Sequence, residues 1–376
     1  MHPSLYLTAR IRKSPFFDAT SQAGATQFSV YNRTYMPGGY ASMEEEYWSL
    51  VNDVVLWDVT CQRVIEVSGA DAKRFSDYLT TRDLSSLQVG AARYVLLTNQ
   101  HGGVLNDPVL MRMDHDKYWF SCADGDVGMW MHGVLVGSDF DVRVAFPDVA
   151  TLQLQGPKSL PLLRDLLGDR ITKLAYYRHV RCELHGIPLI IARTGWSAER
   201  GYELYLLDLA RGGELWRILM EEGRRYAIAP GSPSRVRRIE AGILDYGVDM
   251  DVTTNPYELG LQRLVDLDSV SDFVGKAALR AIHARGVSRQ VVGLHVEGDP
   301  VTPNEVPYIV RLRGNQVGKM TSWVFSPRSQ RNLALAMLDT QVASPASLSV
   351  DYPQGERAAT VVALPFVDPE KRLARA

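Results

Sequence analysis

Cysteine is scarce in this chain of 376 residues, and Cys61, Cys122 and Cys182 lie far apart with no C-x-x-C pair among them. An odd number at such spacing argues against a disulfide framework or a thiolate metal site. It predicts buried free thiols in a reducing cytoplasm. The eight histidines form neither H-E-x-x-H nor H-x-x-E-H, so no dedicated metal site is expected. No Walker loop and no G-x-G-x-x-G is present, which removes the usual phosphate-cradling signals. An excess of one charge is also lacking. With a net charge of -2 and 22% charged residues, the composition gives no reason to expect nucleic acid or an anionic membrane as partner. No apolar run is long enough to cross a bilayer, and MHPSLYLTARIRKSP has no apolar core of signal-peptide length, so a soluble, cytoplasmic protein is expected.

One further absence sits inside a motif. Gly195-Trp196-Ser197-Ala198-Glu199 begins like the G-x-S-x-G nucleophile elbow, but Glu199 stands where the closing glycine must be. The strained strand-to-helix turn leaves no room there for a side chain, so this segment is not a serine-hydrolase site.

What remains is an ordinary globular composition, 46% hydrophobic, long enough for two or three domains at roughly 150 residues each. Strand and helix signals alternate without a regular βαβ rhythm, and an internal echo organises them. VIEVSGADAKRFSDYL (Val64 to Leu79) reads as an alternating strand, a glycine, then a helix with Ala72, Phe75 and Leu79 on one face. TLQLQGPKSLPLLRDLL (Thr151 to Leu167) repeats that plan, with Gly156 in the place of Gly69 and Leu160, Leu163 and Leu167 on the helix. A second echo follows: YVLLTNQHGGVLNDPVLMRM, with a hairpin turn at Gly102-Gly103, and LIIARTGWSAERGYELYLLD both read as strand, glycine-containing loop, strand. Aligning Thr98 with Thr194 places Asp107 on Glu203. The expectation is a pseudo-twofold pair of units that bring equivalent carboxylates to a shared cavity.

After about residue 284 the chain becomes rich in strands and turns: VVGLHVEGDP, PYIVRLRGNQVGKMTSWVFS, NLALAML, ASLSVDY and ATVVALPFV. Such spacing predicts an antiparallel sandwich or barrel. On the strand before it, alternation sets Glu203 and Tyr205 on one face. A buried carboxylate needs a partner or takes up a proton. A flat heterocycle with adjacent ring N–H and amino donors would satisfy Glu203, with Tyr205 flanking the ring. On the residues alone, a structural salt bridge or a surface position accounts for Glu203 more simply.

Three ordered segments resemble the aminomethyltransferase family, the glycine-cleavage T-protein and its tetrahydrofolate-dependent relatives: GGVLNDP, RTGWSAERGYELY and RRIEAGILDYGVDM–NPYELGL. SDFVGKAAL, TSWVFSPRSQRNLALAML and the late PFV support them. Within the family, SVYNRTYMP, EYWSLVNDVVLWDVTCQRVIEVSG and ARYVLLTNQHGGVLNDPVL look most like the dimethylsulfoniopropionate demethylase branch. The resemblance implies an α+β, three-domain cloverleaf around a folate channel. Its expected parts are 1–52 with 138–245, 53–137 with 246–283, and a C-terminal antiparallel β-barrel or jelly-roll domain at 284–376. It implies tetrahydrofolate as methyl acceptor, a small S-, O- or N-methyl donor, no metal, and a monomer or homodimer. Asp107 would be the catalytic carboxylate near the folate's reacting nitrogens, and Glu203 the partner of the pterin ring. Tyr205, Arg238 and Trp196 would help hold the folate, and Tyr31, Tyr94 and Arg178 would line the donor side. The aromatic residues among these are equally compatible with core packing.

Two positions depart from the branch pattern. Arg178, in AYYRHVRCELHG, stands where the demethylase pattern carries tryptophan, and Arg263 falls where small or apolar residues are usual. If Arg178 faces the cavity it repels a sulfonium and favours an anionic donor, whereas in solvent it bears on nothing. Two other readings stay open: the glycine-cleavage T-protein itself, which would need a lipoylated carrier, and a folate-binding accessory protein without turnover. The accessory proteins carry a K-G-C-Y-x-G-Q type motif, and none of the three cysteines sits in one.

Overall fold

The computed structural model describes residues 7–342 and 347–376. The start of the segment read for a leader, and Ala346 of the expected strand ASLSVDY, lie outside them. Both expected strand–glycine–helix units are present. Strand Arg63–Ser68 leads through Gly69 into helix Ala72–Leu79, and strand Ala150–Gln155 leads through Gly156 into helix Ser159–Leu167. The glycines are required at both turns. Their φ values are +129° and +116°, and an added Cβ would lie 2.6 Å from the Asp141 carbonyl oxygen or 2.5 Å from that of Asp53. The helices bury Phe75 and Leu79 in one half and Leu162 and Leu163 in the other, each against its own sheet.

The two sheets share one plan. In the first, the strand order is Arg143–Ala145, Arg63–Ser68, Lys117–Cys122, Val109–Asp114 and Ala92–Tyr94. The second runs Val54–Asp58, Ala150–Gln155, Gly201–Leu206, Ile187–Ala192 and His179–Leu184, with Ile228–Gly231 added parallel to Val54–Asp58. Every pairing the two sheets share is antiparallel. Superposing the orders corrects the expected echo of carboxylates. Glu66 pairs across with Trp119, and Gln153, at the same distance before its glycine, pairs across with Glu203. The counterpart of Glu203 is therefore Trp119, not Asp107, which follows the separate short strand Val104–Asn106. Sequence alignment of hairpins failed here because the two loops differ in length and pairing.

Sheet membership also moves the expected boundaries at 53 and 138. Strand Val54–Asp58 lies in the sheet of the second unit and Arg143–Ala145 in that of the first, so each half lends one strand position across the division. The sheets meet through Val64, Met111 and Trp119 on one side and Ile190, Ala192 and Tyr205 on the other. Backbone bonds stitch their edges together, Ala92 N–H to Tyr177 O at 2.8 Å and His179 N–H to Gly90 O at 2.9 Å. The C-terminal strands Arg289–Val296, Arg331–Asp339, Asn315–Ser326, Tyr308–Leu312, Ser347–Tyr352 and Gly355–Val362 close into an antiparallel barrel. All three cysteines are free and buried.

Gly156→Ala and Gly168→Ala separate backbone strain from steric contact. Gly168 also has a positive φ, +78°, but nothing lies within 4 Å of its would-be Cβ. Backbone strain costs on the order of 1–3 kcal/mol at either position. Gly156→Ala should lose measurably more in denaturant unfolding, because the methyl also meets a carbonyl. Equal losses would show that the helix start relaxes around it.

Candidate active site

Glu203 occupies the middle of strand Gly201–Leu206, on the face turned toward the other half, and is 3% exposed. Its carboxylate accepts from Gln153 Nε2 at 2.8 Å, from the Tyr205 hydroxyl at 3.0 Å and from the Thr194 hydroxyl. Burial raises its pKa, and these three donors hold it down against that effect. Two of them share Oε2, so among the described residues Oε1 has only Gln153 as donor. The other atom of that amide, Gln153 Oε1, is buried and has no partner among the described residues. A free acceptor position on Glu203 therefore adjoins an orphaned acceptor on Gln153.

The preceding loop is built to support this cluster. The Gln155 amide fills the space over Gly195 and Gly201, where a Cβ would come within 2.3 Å and 2.2 Å of its oxygen. Ser197 donates to the same oxygen at 2.6 Å, and Glu199 accepts from Arg237 Nε at 2.7 Å. The serine and glutamate of the elbow-like motif thus both serve to fix the loop.

Asp107 is held by the Tyr94 hydroxyl at 2.9 Å. Burial is the main cause that lifts its pKa to about 7. The tyrosine bond opposes the rise, and the charge of Asp245 adds to it. Tyr31 reaches this region because Asn32 beside it is pinned: its amide N–H donates to Asp124 and its side chain to the carbonyls of Cys61 and Ala123. Burial, then Asp245 and Asp107, raise the Tyr31 hydroxyl pKa. Arg238, 3% exposed, donates to Asp249 at 2.7 Å, Ser322 at 2.7 Å and the Ile243 carbonyl at 3.2 Å. Its guanidinium lies 5.7 Å from the Trp196 ring and 3.9 Å from Asp245.

Hydrogen-bond and ion-pair geometry joins Asp107 to Tyr94 and sets Arg238 beside Asp245 and Trp196, while the charges of Asp245 and Asp107 act on Tyr31 and that of Glu203 acts on Tyr177. Tyr205 is fully buried against Trp119, ring centres 6.1 Å apart. Arg178 is exposed and forms no ion pair among the described residues. Arg263 is exposed too, yet its charge reaches both Tyr94 and Tyr177. Gln153, Thr194, Tyr177 and Asp245 were missed in the sequence. Gln153 had a signal, a glutamine on the alternating strand TLQLQ; Tyr177 sits in a loop with none.

Two α+β units of one plan that meet beside the buried Glu203, followed by a closed barrel, define the class. The chain matches the GCVT N-terminal domain over residues 16–269 and the glycine cleavage T-protein C-terminal barrel domain over residues 289–368. It belongs to the glycine-cleavage T-protein, or aminomethyltransferase, family. Dimethylsulfoniopropionate demethylase DmdA of Ruegeria pomeroyi is 33% identical over 359 residues, 95% of this chain and 98% of that protein. An aminomethyltransferase of Synechococcus sp. is 33% identical over 369 residues, 94% and 98% of the respective chains. In fold, the chain is similar to glycine cleavage system aminomethyltransferase T from Bartonella henselae, with a TM-score of 0.84 and 23% identity over 95% of this chain and 98% of that one.

Asp107 has a thermodynamic signature. Its folded pKa of about 7 exceeds the ordinary value of 3.8, so the folded state holds the proton more tightly. The resulting stabilisation is complete below about pH 4 and is lost as pH rises through 7. Asp107→Asn should therefore gain stability over the parent at pH 8 relative to pH 4, in thermal unfolding. A difference that does not change with pH would contradict a raised carboxyl.

Proposed function

We propose that the protein is a tetrahydrofolate-dependent demethylase. It would move a methyl group from a small S-, O- or N-methyl donor to N5 of tetrahydrofolate, with dimethylsulfoniopropionate the first donor to try. The observation that carries this reading is the presence of two carboxylates of different character, Glu203 buried and Asp107 partly exposed, each bonded to a tyrosine hydroxyl. Relatives named for this activity and for aminomethyl transfer support it.

The residues fit the acceptor. A pterin edge offers a ring N–H and an amino group, and the free positions on Glu203 Oε1 and Gln153 Oε1 can accept two such donors. Tetrahydrofolate would supply the N5 lone pair. With a methylsulfonium donor the N–C bond would form as the C–S bond breaks, a neutral thioether would leave with the electron pair, and the methylated N5 would then release its proton to solvent. Asp107, held by Tyr94, would face the positive charge that develops at N5 and favour it electrostatically. Aligning donor and acceptor in a site sheltered from water can contribute roughly 7–11 kcal/mol, so no covalent protein intermediate is required.

Mass spectrometry of folates after incubation with tetrahydrofolate and dimethylsulfoniopropionate tests the reading. The expected products are 5-methyltetrahydrofolate and methylthiopropionate. Asp107→Ala should lower turnover at least about a hundredfold while folate still binds, and Glu203→Gln should weaken folate binding roughly tenfold, about 1.4 kcal/mol. Methylenetetrahydrofolate formed only with a lipoylated carrier would instead establish the aminomethyltransferase reading. Full turnover by Asp107→Ala would remove that residue from the chemistry.

A further inference from the structure

A cavity of about 260 Å³ opens outside the Glu203 and Asp107 clusters. It lies between the tip of the hairpin Gln27–Tyr31 and Thr34–Gly39 and the start of helix Val127–Leu135. Clefts for drug-sized ligands measure roughly 300–1,000 Å³, so this one suits a smaller molecule than a folate or a peptide.

Its cationic wall is Arg63. The half-buried guanidinium lies over the Phe146 ring, 3.7 Å from the ring centre, and takes part in no hydrogen bond or ion pair among the described residues. A guanidinium laid flat on a ring still presents its donors at the edge, in a fork that matches the two oxygens of a carboxylate. The other charges on the wall are already engaged. Arg33 Nη2 and Asp126 lie 3.3 Å apart, and Asp124 accepts the Asn32 N–H at 2.8 Å. Burial, then Arg12 and Arg33, lower the Arg63 pKa, and Asp126 only opposes them, so negative charge is in short supply around it. The rest of the wall includes Ile65, Phe146 and the exposed Met129, which offer apolar contact beside the free fork.

The hairpin tip over the cavity is held in an unusual shape. Asn32 and Arg33 have φ of +47° and +55°, in a two-residue turn between the paired Tyr31 and Thr34. Glycine ordinarily takes the second of these positions, and here it is Arg33. Asn32 fastens the tip to the cavity wall. Its Nδ2 donates to the carbonyls of Cys61 and Ala123 at 3.0 and 3.1 Å, and its Oδ1 accepts from the Gly125 N–H at 3.0 Å. The same wall holds the residue before Asp107: Asn106 donates to the carbonyls of Ala123 and Asp124 and accepts from the Ala123 N–H.

We propose that this cavity is a second ligand site, separate from the folate site, that takes a small carboxylate with a short apolar chain. Arg63 grips the two oxygens with its free edge, and the chain lies against Ile65, Met129 and Phe146. The site goes beyond the demethylase reading and does not depend on it.

Nuclear magnetic resonance of the full-length protein with isotope-labelled arginine and methionine tests the site. The probe is butanoate, and butanamide is its uncharged counterpart. The Arg63 Nε–Hε signal, identified by its absence in Arg63→Gln, should shift and saturate with butanoate. The Met129 methyl signal should follow the same curve. Butanamide should bind at least roughly tenfold more weakly, a difference of about 1.4 kcal/mol. Arg63→Lys keeps the charge and loses the fork, so the Met129 signal should report weaker butanoate binding there and weaker still in Arg63→Gln. No saturable shift at Arg63, equal binding of butanoate and butanamide, or undiminished butanoate binding in both variants would overturn the site. Saturation by inorganic phosphate at lower concentration than butanoate would overturn the carboxylate and make the ligand a phosphate.

Discussion

Two consecutive buried arginines hold the barrel, the helix and the site loops in one arrangement. Arg237, fully buried, grips Glu199 of the loop before Gly201–Leu206, and lies 3.8 Å from Glu240, which accepts from Tyr47 and from Ser326 of the barrel. Arg238 grips Asp249 and Ser322. Each guanidinium therefore ties elements far apart in the chain, and each is tied by charge at low exposure. Breaking one partner of such a pair typically costs about 3–5 kcal/mol, because the other charge is left buried and alone. Thr194, which donates to Glu203, and Trp196, which faces Arg238, belong to the loop that Arg237 secures. The position of the Glu203 cluster is thus a consequence of this clamp.

The two site acids differ because their surroundings differ. Glu203 lies in mid-strand with three donors, so its charge is met from within the fold. Asp107 has one tyrosine and a like-charged neighbour, so its carboxyl is poised to exchange a proton near neutral pH. One acid is suited to recognition and the other to responding to charge. That division follows from counting donors, not from residue type.

Much of this was legible in the chain. The glycines at 69 and 156, the helices after them, the alternating strand with Glu203 and Tyr205 on one face, and the strand-rich C-terminal third all announced themselves through periodicity and turn chemistry, which are local. What stayed hidden was non-local. Membership of Val54–Asp58 in the second sheet depends on pairing with Ala150–Gln155, nearly a hundred residues on. The Glu199–Arg237 bond gives no local signal either, and the elbow-like motif showed only what Glu199 prevents. Asp107 and Glu203 looked equivalent because both sit in glycine-containing hairpins. Hydrogen-bond register, which sequence spacing does not encode, separates them.

The register also exposes a broken symmetry. Across the seam between the halves, the position of Glu203 is taken by Trp119, and that of Gln153 by Glu66, whose carboxylate accepts from the Trp119 indole at 2.9 Å. The acid has in effect changed strands between the copies. Two identical faces would offer a flat ligand the same recognition group twice, and it could lie head-first in either half with equal affinity. With an indole in one copy and a carboxylate in the other, the degeneracy is lifted: a flat guest of the kind proposed would meet this twofold scaffold in a single polarity.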